Sequence, residues 1–404
     1  VIGVIADDLS GAAEIGGVGL RHGLRAEIIV MNEALQASKK KKPATSAILG
    51  RTGSRELICI DTDSRSCSAE EAGRRAAAAA SLLVESGAQW IYKKVDSVLR
   101  GQVVPELEAI LKQLELDRAL LAPANPRLGR FIVRGRYFIR GKPIHETEFA
   151  RDPEHPRTSP KVLELLARGR SFPVAMRPPK APLPASGIVV GEARTVADLE
   201  YWAAKIKSDV LPAGGAEFFA ALLRRKGCAT AADTVKAAES PAPTRELFVC
   251  GTASKSAREF LKGARACKTP VFSLPSELAW GADFTDPAKE VIARRAVSAL
   301  NSQPRVILNI GLPSVREPAA SRSLTQYLVQ LAERVLRQQE VGHVYAEGGA
   351  TAAALVRRIG WEHLTVLREL APGVATLAVE GNDALRLTIK PGSYSWPAEV
   401  QKES

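Results

Sequence analysis

Nowhere in this 404-residue chain do apolar residues run on for the roughly 18 positions that a membrane-spanning helix needs, which argues against a membrane protein. Cysteine is scarce: Cys59, Cys67, Cys228, Cys250 and Cys267 form no CxxC pair and their number is odd. A disulfide framework or a zinc ribbon is thereby set aside. The five histidines never fall at the HxxxH spacing that places two metal ligands on one helical face. Aromatic residues make up only 5%, leaving few platforms for stacking bases, although the formal charge is +12. That charge is spread along the whole chain, so it fits small anionic substrates better than nucleic acid. No GxxxxGK[ST] loop appears, nor a protein-kinase HRD and DFG set, so any nucleotide must be held by another kind of loop. The opening VIGVIADDLSG lacks a basic n-region and a small-residue cleavage site; it reads as a buried strand rather than a signal peptide, and a cytoplasmic protein is expected.

What is present is the composition of an ordinary globular protein, 46% hydrophobic and 25% charged, in a chain long enough for two domains. Short apolar runs at Val1–Ile5, Ala26–Met31, Leu57–Ile60, Trp90–Val95 and Ala119–Ala122 alternate with helical patterns at Gly11–His22, Ala69–Ser86 and Glu106–Leu116. This βα alternation predicts a doubly wound, mostly parallel sheet. Residues 123–160, rich in Pro, Gly and Arg, interrupt it. After Ala231 the composition turns to small residues and proline, which predicts a linker at about 233–244 between domains 1–232 and 245–404. The second domain repeats the alternation, with strands at Leu247–Cys250, Val271–Leu274, Val306–Ile310 and His343–Ala346. It ends in strands alone, Thr376–Val379 and Leu385–Ile389, which predicts an antiparallel edge or hairpin and so a mixed α/β sheet there. Ser38–Arg55, with Lys39–Lys42, reads as a solvated loop.

Several strand ends carry chemistry. Asp7-Asp8-Leu9-Ser10-Gly11 puts two carboxylates just past a strand, where ligands of open α/β sheets bind. Such a carboxylate can take a hydroxyl proton, or simply cap the following helix. Lys93-Lys94-Val95-Asp96-Ser97-Val98-Leu99-Arg100-Gly101 also follows a strand and offers a guanidinium suited to carboxylate or phosphate. The alternative there is a salt-bridged loop. Between Arg127 and Lys142, a span that includes Arg130, six basic residues stand with no acidic one, a pattern that favours an anion or forms a solvated basic hairpin. In the second domain, Cys250-Gly251-Thr252-Ala253-Ser254 and Glu347-Gly348-Gly349-Ala350-Thr351 are glycine turns between a strand and a helix, suited to phosphate. Lys390-Pro391-Gly392-Ser393 follows the last strand.

Taken in order, ADDLSGA, KKVDSVLRG, PANPRLGR, YFIRGKPIHET, CGTAS, GGAT and KPG resemble the four-carbon acid sugar kinase family across roughly Val1 to Gly392. The resemblance implies an N-terminal sugar-acid-binding domain and a C-terminal nucleotide-binding domain, with ATP in a cleft between them. It implies transfer of phosphate from ATP, with Mg2+, to the terminal hydroxyl of threonate, erythronate or 3-oxo-tetronate. Carried over, Asp8, Ser97, Arg100 and Gly101 hold the sugar acid, while Ser254, Gly348, Gly349, Ala350, Thr351 and Gly392 hold ATP, with Gly251 in the same turn. Asp7 and Arg130 join the substrate side. Asp8, then Asp96, is the expected proton acceptor, Arg100 the carboxylate clamp and Lys94 a neutraliser of transferring charge. Metal ligands are left unassigned, and a homodimer is left open. Ser10, Val98, Gln102, the GGAT turn and the KPGSY ending depart from the usual family pattern. A kinase for another hydroxy acid and a catalytically weak sugar-acid or nucleotide binder are the rival readings.

Overall fold

Strand β1 (Ile2–Ala6) is apolar along its whole length and buried on both faces, the signature of an interior parallel strand. It belongs to a computed structural model that describes residues 1–32, 56–152, 154–166, 171–228, 245–280, 282–311 and 318–401. The loop expected at 38–55 and the linker expected at 233–244 lie outside the described residues. The chain divides into two compact units, Val1–Ala232 and Asp233–Ser404. Among the described residues no helix is long and apolar enough to cross a membrane. All five cysteines are free thiols.

In the first unit β1 is followed by β2 (Ala26–Val30), β3 (Leu57–Asp61), β4 (Trp90–Lys94) and β5 (Arg118–Ala122). After a small antiparallel sheet of β6 (Arg130–Val133), β7 (Arg136–Ile139) and β8 (Lys142–Pro143) come β9 (Val174–Arg177), β10 (Gly187–Gly191) and β11 (Val210–Gly214). The main strands lie in the order β2-β3-β1-β4-β11-β5-β10-β9, with parallel pairings. Helix α1 (Leu9–Arg21) leads from β1 to one side of the order, whereas the chain after β4 crosses to the other side through α3 (Val103–Gln113). Right-handed crossovers therefore put these helices on opposite faces. Packing agrees. Helix α2 (Ala69–Glu85) lies against α3 over a core of Ile5, Ile60, Ala76, Leu83, Leu107 and Ile110. On the other face α1 meets α5 (Ala216–Arg225), α4 being Val196–Ala203, and Tyr92 packs 5.0 Å from the Phe219 ring. The gap between β1 and β4 is a topological switch point, the place where open α/β sheets bind ligands.

The second unit repeats the device. Its strands are β12 (Glu246–Cys250), β13 (Val271–Ser273), β14 (Arg305–Asn309), β15 (His343–Glu347), β16 (His363–Ala371), β17 (Val374–Val379) and β18 (Asn382–Lys390), in the order β13-β14-β12-β15-β18-β17-β16. Helix α6 (Lys255–Ala266) puts Phe260 and Leu261 against Phe248, Ile307, Tyr345 and Trp396. Helices α7 (Asp286–Ser302), α8 (Pro318–Gln338) and α9 (Gly349–Ile359) pack in series, α7 on α8 and α8 on α9, as the connection rule requires of the opposite face. The switch point here falls between β12 and β15.

The expected fold class, two α/β units with a mostly parallel first sheet and a mixed second one, is the observed one. Two local expectations change. The final strands do form an antiparallel hairpin, β17 with β18, but it is not at the edge, because β18 also pairs parallel with β15, and β16, unanticipated, adds antiparallel to β17. Strand β16 escapes a period-2 reading because register shifts after Val366 and Glu369 break its alternation.

Candidate functional site

At the switch point of the first unit, the chain leaves β1 at Ala6 beside β3 at Asp61 and β4 at Lys94. Asp8 has extended φ and ψ and caps α1: its Oδ1 accepts from Gly11 N at 2.8 Å. Its Oδ2 accepts from Ser10 Oγ at 2.5 Å and from Arg65 Nη1 at 2.7 Å. The rest of the Arg65 fork closes on Asp7, through Nε to Oδ2 at 2.8 Å and Nη2 to Oδ1 at 3.0 Å. Burial alone would raise the Asp7 carboxyl, but Arg65, with Lys93 and Lys94, holds it below the usual carboxylate range. Gly101 turns at a left-handed φ of 87°, and a Cβ built on it would lie 3.3 Å from Asp7 Oδ2.

The loop after β4 is organised by Asp96. Its Oδ2 accepts from Val98 N, Arg100 N and Arg100 Nε, at 3.1, 3.1 and 3.0 Å, and its Oδ1 accepts from Arg100 Nη2 at 2.8 Å. Despite burial, Arg100 and Arg65 hold Asp96 well below the usual range. Arg100 Nη1 reaches Asp152 at 3.2 Å. The fork expected to clamp a substrate carboxylate therefore already grips two carboxylates of the protein. Lys94 sits 3.1 Å from Glu14, and burial, which would discharge it, is outweighed by Glu14 and the neighbouring aspartates, so its ammonium is held above the usual value. Ser97 Oγ accepts from Arg130 Nη1, and the Ser97 carbonyl accepts from the Tyr137 hydroxyl. Val98 is fully buried in the core, and the Gln102 amide donates to the Cys67 carbonyl at 3.1 Å. Both departures from the family pattern are thus absorbed by packing and loop structure.

In the second unit the carboxyl ends of parallel strands form one row, Ser273, Asn309, Cys250, Glu347 and Lys390, by register. Two glycine turns leave this row on either side of the switch point. Ser254 caps α6 by accepting from Ala257 N at 3.1 Å. Gly348, with φ 101°, opens α9, whose first turn carries no acidic side chain. Gly251 is held by its N–H on Glu347 O at 3.1 Å, and a Cβ built on it would come within 1.8 Å of Thr351 Oγ1. The turns of Gly251 and Thr351 therefore touch. A Cβ on Gly392 would lie 3.0 Å from Thr252 Oγ1, which brings in the third loop. Together these form a cradle of backbone N–H groups at two helix N-termini, a natural receiver of phosphate. Beneath it, Lys390 Nζ lies 3.5 Å from Glu347 Oε1, while Trp396 Nε1 donates to Glu347 Oε2 at 3.0 Å. Burial pushes the Glu347 carboxyl up and the Lys390 ammonium down. Lys390 Nζ also donates to the carbonyls of Pro391 and Tyr394, which ties the Gly392 loop to the strand end.

The structure thus brings Asp7, Asp8 and Gly101 into one cluster around Arg65, gathers Ser97 and Arg130 at the neighbouring loop, and joins Gly251, Ser254, Gly348 and Thr351 at one edge of the second unit. Sequence reasoning missed Arg65, Glu14 and Trp396, and it named Lys390 without its pairing to Glu347. For Arg65 the available signal is Thr62-Asp63-Ser64-Arg65, a polar run directly past a strand, like those after β1 and β4.

A sheet-edge carboxylate cluster in one unit and a glycine-turn cradle in the other define a two-domain α/β architecture with a separate switch point in each unit. Residues 2–222 match the family model of a sugar-binding N-terminal domain, and residues 247–394 that of a nucleotide-binding C-terminal domain. The chain belongs to the four-carbon acid sugar kinase family. A 3-oxo-tetronate kinase of Brucella melitensis is 26% identical over 437 residues, covering 99% of this chain and 95% of that one. A D-threonate kinase of Salmonella typhimurium is 33% identical over 172 residues, a match spanning 42% of this chain and only 37% of that kinase. A crystal structure from Salmonella typhimurium LT2, described as a candidate tRNA synthase, superposes with a TM-score of 0.73 at 18% identity. It covers 98% of this chain and 96% of the other, and it shows a shared fold alone.

Proposed function

We propose that the protein is an ATP-dependent kinase that phosphorylates the terminal hydroxyl of a four-carbon sugar acid of the threonate, erythronate or 3-oxo-tetronate type. The observation that carries this reading is the double switch point: charged, hydrogen-bonding side chains at the first, glycine turns and two helix N-termini at the second. Side chains read a polyol acid; backbone donors cradle phosphate.

Asp8 is the group that takes the hydroxyl proton. A carboxylate has about four acceptor sites, and Asp8 spends its contacts on Gly11, Ser10 and Arg65, which leaves room on Oδ1. Asp96 is less suited, because its lone pairs are taken up inside its own loop and it is held well below the usual range. As Asp8 takes the proton, the hydroxyl oxygen bonds the γ-phosphorus of ATP, the bond to the bridging oxygen breaks, and ADP leaves. Gly251, Ser254, the Gly348–Thr351 turn and Gly392 hold the nucleotide. Among the described residues no group of three His, Cys, Asp or Glu is placed to bind a metal by itself. That suits Mg2+, which takes one or two carboxylates together with nucleotide phosphates and neutralises their charge when bound.

Gly251→Val tests the nucleotide half. Its side chain would have to displace Thr351, and overpacking of this kind costs about 1–3 kcal/mol. ATP affinity measured by calorimetry is then expected to fall roughly ten- to hundredfold with sugar-acid affinity unchanged. Parental ATP affinity would move the nucleotide away from this turn. The whole reading is tested by ADP release with ATP and each four-carbon acid in turn; it fails if no acid stimulates release.

A further inference from the structure

Among the described residues, every cation named at the first switch point but two is already spent on a carboxylate of the protein. Arg65 holds Asp7 and Asp8, Arg100 holds Asp96 and Asp152, Lys94 holds Glu14, and Lys93 lies 3.1 Å from the buried Glu106. Of the remaining two, Arg157 is buried and donates to the carbonyls of Leu99 and His155, pinning the loop. Arg130 is different. Among the described residues it pairs with no carboxylate; its partners are the Ser97 hydroxyl and the face of Phe149, 5.5 Å from the guanidinium carbon. Arg100 lies 6.0 Å from the same ring, so Phe149 gathers both guanidinium groups. An incoming anion meets a positive charge at Arg130 that no described carboxylate has taken, whereas at Arg65, Arg100, Lys93 or Lys94 it would have to displace one.

A second observation stands beside it. Asn125 and Arg130 form a two-hydrogen-bond antiparallel bridge, Asn125 N to Arg130 O at 2.9 Å and Arg130 N to Asn125 O at 3.0 Å. Directly paired residues of this kind send their side chains to the same face. Asn125 is 7% exposed, and its Oδ1 is buried with no hydrogen-bond partner. An orphaned buried amide oxygen costs about 1–3 kcal/mol, a cost that a ligand hydroxyl would offset.

We infer that Arg130, Ser97 and Asn125 form an α-hydroxy-carboxylate subsite, in which Arg130 and Ser97 receive the carboxylate and Asn125 Oδ1 accepts from the adjacent hydroxyl. This deepens the sugar-acid reading and rests on it. A carboxylate with a hydroxyl on the next carbon is what threonate, erythronate and 3-oxo-tetronate have in common; the D forms of the first two differ in configuration at that hydroxyl-bearing carbon, and the oxo acid differs at the carbon beyond. Arg130 and Ser97 therefore read the shared carboxylate, while Asn125 reads the configuration of the hydroxyl beside it and leaves the carbon beyond to other contacts. Arg100 becomes a positioning residue that holds the Asp96 loop in shape.

The test is calorimetric binding to the full chain of three ligands: a four-carbon 2-hydroxy acid such as erythronate, its 2-deoxy counterpart, and the four-carbon polyol that lacks the carboxylate. Arg130→Gln is expected to weaken both acids roughly 10- to 100-fold and leave the polyol unchanged, as loss of a charged hydrogen-bond partner requires. Asn125→Ala is expected to weaken the 2-hydroxy acid roughly tenfold and leave the 2-deoxy acid unchanged. Should either variant fold poorly, Asn125→Asp places a carboxylate beside Arg130 and is expected to weaken both acids while sparing the polyol. Parental acid affinity in Arg130→Gln or in Asn125→Asp overturns the subsite, as does an equal loss of all three ligands. A parent chain that shows this pattern and phosphorylates nothing keeps the subsite and removes the kinase reading. One that phosphorylates an acid with Arg130→Gln unaffected keeps the kinase and removes the subsite.

Discussion

Asp8→Asn is expected to leave the fold and ATP affinity intact while turnover drops roughly 10²–10⁴-fold, the range set by loss of a general base. Asn is nearly isosteric and can still accept from Gly11 N, so the cap on α1 survives. Arg65 keeps its two contacts with Asp7. What disappears is the negative charge that takes the hydroxyl proton. If Asp8 were only a helix cap, the variant would keep near-parental turnover. Steady-state kinetics on a variant whose melting curve matches the parent decides between them. A retained rate would shift the task to Asp7 or Asp96, or leave catalysis to positioning and charge neutralisation.

Arg65→Met is expected to destabilise the first unit by about 3–5 kcal/mol, the usual result of removing one partner from a buried ion pair. The side chain is only 18% exposed and Asp7 is 2% exposed, so the carboxylate left behind cannot recover its hydration. Methionine keeps most of the stem, which isolates the charge from the packing. Hydrogen-exchange protection of the β1 and β3 amides reads the loss in this unit by itself. The double variant Arg65→Met, Asp7→Asn is expected to regain much of it, because the orphaned charge is gone. A single-variant loss below about 1 kcal/mol would place Arg65–Asp7 among ordinary surface pairs.

The chain shows its architecture openly because parallel strands buried on both faces read as bare apolar runs, and helices between them carry their caps in sequence. Asp8 was legible for that reason: strand, carboxylates, serine and glycine follow one another without a gap. Arg65 was not. It stands 57 residues beyond Asp8 in a loop with no second arginine beside it, and only the β1–β3 register, Ala6 against Asp61, brings the two loops together. The Asp96–Arg100 grip was hidden for a related reason, since an i,i+4 pair declares itself on a helix and this one spans an irregular loop. In the second unit the glycine turns were visible one at a time. That Glu347 faces Lys390 required β18 to lie parallel beside β15, which a strand-only ending does not suggest. Arg130 appeared in sequence as one of six basic residues. What sets it apart from Arg100 is that no carboxylate among the described residues pairs with it, a property of packing that no spacing records.

Phosphorus NMR of a reaction containing the full chain, ATP, Mg2+ and a panel of threonate, erythronate and 3-oxo-tetronate tests the central claim most directly. The account predicts that one acid yields a new phosphomonoester resonance coupled to the protons of a terminal methylene, appearing in step with ADP and absent without the acid. Nucleotide signals that stay at ATP with every acid, or a phosphate attached at an internal carbon, would contradict it.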